Sequence, residues 1–249
     1  MTEPAAPARK NRRGPGWVPN QHGAWAMLAS PLLVGILAGG VAWVDLPLAA
    51  FWFVGYLAFF ATGLWLKSGR RPKWFPPVRA YGAASLALGI VVAAMRPDLL
   101  RWAPGFVVPL GVGLWAAAHR RDRDLLAGLA TVFGSALMTV VAFDAGTDGP
   151  LTRGWLLALV QLLYFAGTVF YVKTVIRERD NRAFWWLSVA VHAASAVAVA
   201  ALSPWLGAVF AALTVRAALV PGLHPTPRQA GIGEIASTVL VAVVSLVVL

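Results

Sequence analysis

The chain has 249 residues, 59% hydrophobic and 12% charged, with a mean hydropathy of +0.70; ordinary soluble domains hold roughly 45–50% and about 25%. That composition excludes a soluble globular domain and leaves room for about nine spans of roughly 20 residues in one all-helical membrane domain. The net charge of +11 is a topology signal and not a nucleic-acid footprint, since no folded soluble surface remains to carry a basic patch; with no cysteine, disulfides and thiolate metal sites are excluded too.

Residues 1–19, rich in Pro, Ala and Arg and without apolar periodicity, read as a disordered basic tail. The polytopic domain follows over 20–249. The apolar run 23–44 is too long for a signal-peptide core, and more spans follow it, so it is retained as the first helix. Helix breakers and charges place the spans at 23–44, 47–66, 78–95, 102–118, 125–143, 151–176, 184–202, 204–220 and 232–249. The connections at Asp45-Leu46, 96–101 and Ser203-Pro204 are short and predict tight hairpins.

This parse sorts the cations. Every Lys and Arg falls in the tail or near the even-numbered connections except Arg96, Arg101 and Arg153. The positive-inside rule then puts the N-terminus in the cytoplasm and the C-terminus outside. A miscounted span would scramble the sorting. Trp65, Trp74, Trp115 and Trp185 near one set of helix ends, with Trp43, Trp102, Trp155 and Trp205 near the other, form the two aromatic belts of a bilayer protein.

Polar residues collect at the basic ends. The first helix opens Pro19-Asn20-Gln21-His22-Gly23-Ala24-Trp25; Gln21 and His22 either cap it or face a cavity, where the imidazole can titrate or bind an anion. Lys67, Arg70 and Arg71 cluster after the second helix. The sixth helix carries the main signal: Gln161, Tyr164, Thr168, Tyr171, Thr174 and Glu178 recur at helical spacing over about five turns. Lipid cannot satisfy such a face, so it must look into protein or a wet cavity. Lys173 and Arg177 snorkel from the same helix end, beside Asn181. Glu178 extends the stripe as a carboxylate flanked by Arg177 and Arg179, equally readable as internal ion pairing or as a site. His192, with Ser188 and Ser195, reads as an interhelical hydrogen bond. Glu234 reads as a carboxylate in the first turn of the last helix, where the helix dipole favours it, unless Arg228 or the cavity recruits it.

Pro19-Asn20-Gln21-His22-Gly23-Ala24-Trp25 with Pro31 and Gly35, Tyr171-Val172-Lys173-Thr174 with Ile176-Arg177-Glu178-Arg179, and Gly231-Ile232-Gly233-Glu234-Ile235 resemble the YwiC-like family of bacterial integral membrane proteins over nearly the whole chain after the tail. The resemblance implies a multi-pass protein of the bacterial plasma membrane and no known activity. A topological resemblance runs to the UbiA-type prenyltransferases, which have nine helices, a cytoplasmic N-terminus and polar motifs at the ends of helices two and six. Their first motif is Asp-rich and holds magnesium on a diphosphate. Here the matching place reads Leu64-Trp65-Leu66-Lys67-Ser68-Gly69-Arg70-Arg71 and offers magnesium no carboxylate, so no cofactor is expected unless that chemistry survives.

The expected partner is the lipid bilayer, with an isoprenoid or quinone-like lipid as ligand. The expected function is a cytoplasm-facing polar cavity that binds an anionic amphiphile, a prenyl diphosphate or quinone precursor. Its wall would be Gln161, Tyr164, Thr168, Tyr171 and Glu178, with Lys67, Arg70, Arg71 and Arg177 attracting the charge. The alternatives are a transporter or permease, and a non-catalytic scaffold of a respiratory membrane complex.

Overall fold

The computed structural model describes residues 16–19 and 22–249. These contain nine α-helices and no strand: α1 (His22–Gly39), α2 (Asp45–Lys67), α3 (Phe75–Met95), α4 (Ala103–Ala118), α5 (Leu125–Gly146), α6 (Thr152–Ile176), α7 (Arg182–Ala200), α8 (Pro204–Leu219) and α9 (Pro227–Val248). Eight, when the 3-10 turns that extend α3, α4 and α8 are included, are long and apolar enough to cross a membrane, and the apolar stretch of α1, Ala24–Gly39, is shorter. The expected all-helical membrane bundle is what the chain forms. The expected tail lies outside the described residues up to position 15. Its last residues pack on α3, where Tyr81 donates its hydroxyl to the Trp17 carbonyl at 2.7 Å and the two rings meet edge-on at 5.5 Å.

Two helix boundaries depart most from the sequence reading, each for a local reason, and a third end falls where it was expected. The first helix stops at Gly39 and not at position 44, because Gly40 turns the chain with φ +100° and the Ala42 amide donates to Asp45 Oδ2 at 2.7 Å. Asp45 therefore opens α2 instead of lying in the connection. At the other end of the chain α9 begins at Pro227, well before position 232. Thr226 and Gln229 close a reciprocal capping box, and Pro227 takes the first helical position. The sixth helix ends at Ile176, and the Glu178 amide returns to the Lys173 carbonyl at 2.8 Å. Glu178 thus sits in a turn past the helix.

The bundle is built around α5 and α6, each of which carries more buried residues than any other helix. On one side α1 packs against α5, the α2–α3 pair leans on α4, and Leu32, Leu48, Val92, Met138 and Val141 interlock. On the other side the α7–α8 pair and α9 enclose α6, with Val160, Tyr164, Phe165, Leu206, Phe210 and Val241 between them. Helix α1 also touches α6 and α9, so the first and last helices of the chain are neighbours. Lipid is as apolar as leucine, so close contact rather than hydrophobic burial must hold α1 to α5. Gly35 and Gly39, four residues apart on α1, provide it. A Cβ on either would run into α5 backbone, at the Thr139 carbonyl and at Phe143.

Candidate functional site

A charged group sits in the half of the bundle nearer the basic helix ends, between α6, α8 and α9. Arg216 Nη2 lies 2.7 Å from Glu234 Oε1, with the two side chains only 17% and 10% exposed. From α6, Thr168 donates to Glu234 Oε2 at 2.7 Å. The Tyr164 hydroxyl lies 3.2 Å from the same oxygen, 3.0 Å from the Glu234 carbonyl and 2.9 Å from Thr238 Oγ1. Arg216 Nη1 donates to Ser237 at 2.9 Å, and its Cζ lies 4.3 Å from the centre of the Tyr171 ring, a cation–π contact strengthened by exclusion of water. Thr168 is eight positions before the last residue of α6, about 12 Å of helix at 1.5 Å per residue. The ion pair is therefore well below the headgroups, at a depth where an unpaired charge is costly.

The pair is close but incompletely satisfied. Arg216 Nε and Nη2 and Glu234 Oε1 have no aligned hydrogen-bond partner although the charges touch. Two neighbouring features extend the seam. His192 on α7 is buried, its Nδ1 lies 2.7 Å from the Ser188 carbonyl, and its ring covers Gly167, where a Cβ would come 3.0 Å from Nε2. Farther along α6, Gln161 is fully buried and accepts from Ser30 of α1 at 3.0 Å, its Nε2 unpartnered. Polar side chains thus run continuously along α6 from Tyr171 to Gln161. Chemically, the seam can hold an anion against a guanidinium or exchange a proton at a carboxylate.

The other sequence candidates fall elsewhere. Gln21 lies outside the described residues, and so does the His22 side chain. Thr174 is buried on α6 and bonds back to the Phe170 carbonyl of its own helix at 2.9 Å. Glu178 does not join the buried face, as expected of it, because the helix has already ended; it accepts from Asn181 Nδ2 at 2.9 Å. Asn181 caps α7 by accepting from the Phe184 amide. Arg177 is exposed past the end of α6. Lys173 donates to the Arg123 carbonyl at 2.9 Å, and Lys67 pairs with Asp122 at 2.8 Å, so both lysines grip the α4–α5 connection. Arg70 and Arg71 are exposed beyond α2, which packs on α3 and α4 and not on the seam.

The α6 stripe was therefore one wall of the seam; on the opposite wall the sequence reading offered Glu234 to the cavity or to Arg228 and missed Arg216, its partner. Glu234, Thr238, Val241 and Ser245 are buried on one face of α9, a spacing visible in the sequence once the helix start is put at Pro227. Arg216 is the lone cation of α8, and nothing in its spacing marks it. Among the described residues no three His, Asp or Glu side chains gather as a metal site.

The YwiC-like protein family model matches residues 18–143. The uncharacterized protein YwiC of Bacillus subtilis is 34% identical over 208 residues, 82% of each chain. An uncharacterized protein of Haemophilus influenzae is 26% identical over 235 residues, 92% of this chain and 97% of that one. No solved structure matches. Together the family model and the relatedness to the Bacillus protein show that this chain belongs to the YwiC-like family of membrane proteins.

Proposed function

We propose that the seam between α6, α8 and α9 receives the anionic head group of a membrane amphiphile, an isoprenoid diphosphate or a quinone precursor of the kind UbiA-type enzymes handle. The protein would sit in the bacterial plasma membrane with its basic helix ends in the cytoplasm. Arg216 is the receptor, and Glu234 is the internal anion that holds it until a ligand arrives. One observation carries this reading: a guanidinium at membrane depth, stacked on Tyr171, touches its carboxylate but keeps N–H groups without aligned acceptors. A phosphate or carboxylate offers several oxygens in the plane a guanidinium prefers and would use those donors better than Glu234 does. Tyr164 and Thr168, already on Glu234 Oε2, would keep the displaced carboxylate satisfied.

Lipid extraction and mass spectrometry of the purified wild type, Arg216→Gln and Glu234→Gln proteins test it. The expected result is an anionic amphiphile that co-purifies with wild type, is lost from Arg216→Gln and is enriched in Glu234→Gln, where the internal competitor has lost its charge. Identical lipid profiles in all three would overturn the reading. Solute flux in reconstituted vesicles that depends on Glu234 would assign the seam to transport instead.

A further inference from the structure

Away from that seam, the basic end of the bundle holds a cleft of about 130 Å³ between α4 and α5. Val112, Trp115 and Leu126 form its apolar lining, and Arg121 and Asp124 its rim. Trp115 and Leu126 are 49% and 63% exposed. On the same helix Val107 and Val108 are 67% and 70% exposed, so this side of α4 faces acyl chains and the cleft opens sideways into the membrane. The charges above it are unevenly matched. Asp122 is taken by Lys67, and Asp124 by Arg121 at 2.6 Å, with the Arg121 guanidinium 5.7 Å from the Trp115 ring centre. No carboxylate in the described residues pairs with Arg120 or Arg123, both exposed on the same connection.

Arg120 holds a left-handed conformation, φ +59°, at the turn that ends α4, and Arg70 does the same, φ +60°, past the end of α2. Ordinarily glycine fills such a position. The ion pair of Lys67 with Asp122 joins the two turns, so their surplus cations share one patch at the headgroup level.

We propose that this cleft binds a phospholipid with a net negative head group, one acyl chain against Val112, Trp115 and Leu126 and the phosphodiester on Arg120 and Arg123. The ligand is a lipid and not a soluble phosphate, because Arg120 and Arg123 flank in sequence the Arg121–Asp124 rim of an apolar notch whose Trp115 and Leu126 walls are exposed on the outside of the bundle. Near a membrane surface each such cation is worth on the order of a fivefold change in affinity for anionic lipid.

The test uses the full chain in bilayers of phosphatidylcholine alone and of phosphatidylcholine mixed with phosphatidylglycerol, read by native mass spectrometry and by melting temperature. Wild type is expected to retain phosphatidylglycerol in preference to phosphatidylcholine and to melt higher in the mixture. Arg120→Ser with Arg123→Ser should lose that preference by roughly 25-fold, about fivefold for each arginine. Val112→Trp, which fills the notch and leaves every charge in place, should lose it as well. Glycerol 3-phosphate in solution should not compete. Equal retention of the two lipids, an undiminished preference in Val112→Trp, or competition by glycerol 3-phosphate would each overturn the proposal. Arg216→Gln should keep this lipid, so failure here and failure of the α6 seam are read separately.

Discussion

Removing Arg216 alone leaves Glu234 as an uncompensated carboxylate at membrane depth, held only by the Thr168 and Tyr164 hydroxyls. Arg216→Leu is expected to cost about 3–5 kcal/mol, the range for breaking a buried pair from one side. Adding Glu234→Leu should recover most of it, and a double-mutant cycle read by thermal unfolding in detergent measures the coupling. Glu178→Gln is the contrast. Its carboxylate touches only Asn181 in a turn, so the variant should lie within about 1 kcal/mol of wild type. This difference marks what was legible at single positions. Gln161, Tyr164, Thr168 and Tyr171 announced themselves because four polar groups at helical spacing cannot face lipid. Arg216 could not, because one arginine near a helix end reads equally well as a headgroup anchor. Only the approach of α8 to α9 turns it inward.

For whole helices the sequence was most informative where charges and breakers bound an apolar run, and least where capping chemistry decides. Glu234 was misread as a first-turn carboxylate because the last span was started at Ile232. The Thr226–Gln229 box starts α9 earlier and puts Glu234 about two turns inside. Thr226→Ala should therefore destabilise by about 1 kcal/mol. Few helix contacts were legible: of the three expected hairpins only that at Ser203-Pro204 packs its two helices closely, α7 on α8, and the apolar faces of α1 and α4 look alike. Their glycines should behave oppositely: Gly39 lies on the Phe143 backbone, whereas a Cβ at Gly111 meets nothing within 4 Å. Gly39→Leu is expected to cost at least about 1–3 kcal/mol by overpacking. Gly111→Ala should be neutral, or stabilising by up to about 1 kcal/mol through helix propensity. Melting curves of the two variants, taken side by side, check the sign.

Across the whole molecule, the sorting of cations to one end rests on the helix count, and nine helices among the described residues keep it intact. Which end faces the cytoplasm is an inference from charge alone. Because the chain has no cysteine, single cysteines report on orientation without background. An Asp148→Cys variant is expected to react with a membrane-impermeant maleimide in intact cells, and an Arg123→Cys variant only after the cells are opened. The reverse pattern would invert the topology and move the proposed head-group site to the outer leaflet.

The contact of α1 with α5, α6 and α9 also constrains how the protein is made. The first helix to leave the ribosome finds its last neighbour only after some 200 further residues, roughly 10–40 s later at ordinary elongation rates. Until then Ser30, later hydrogen-bonded to Gln161, has no permanent home, and the glycine face of α1 is open to any passing helix. Biogenesis should therefore depend on an insertase or chaperone that shelters this helix, and slowing synthesis of the second half should raise degradation of the nascent chain.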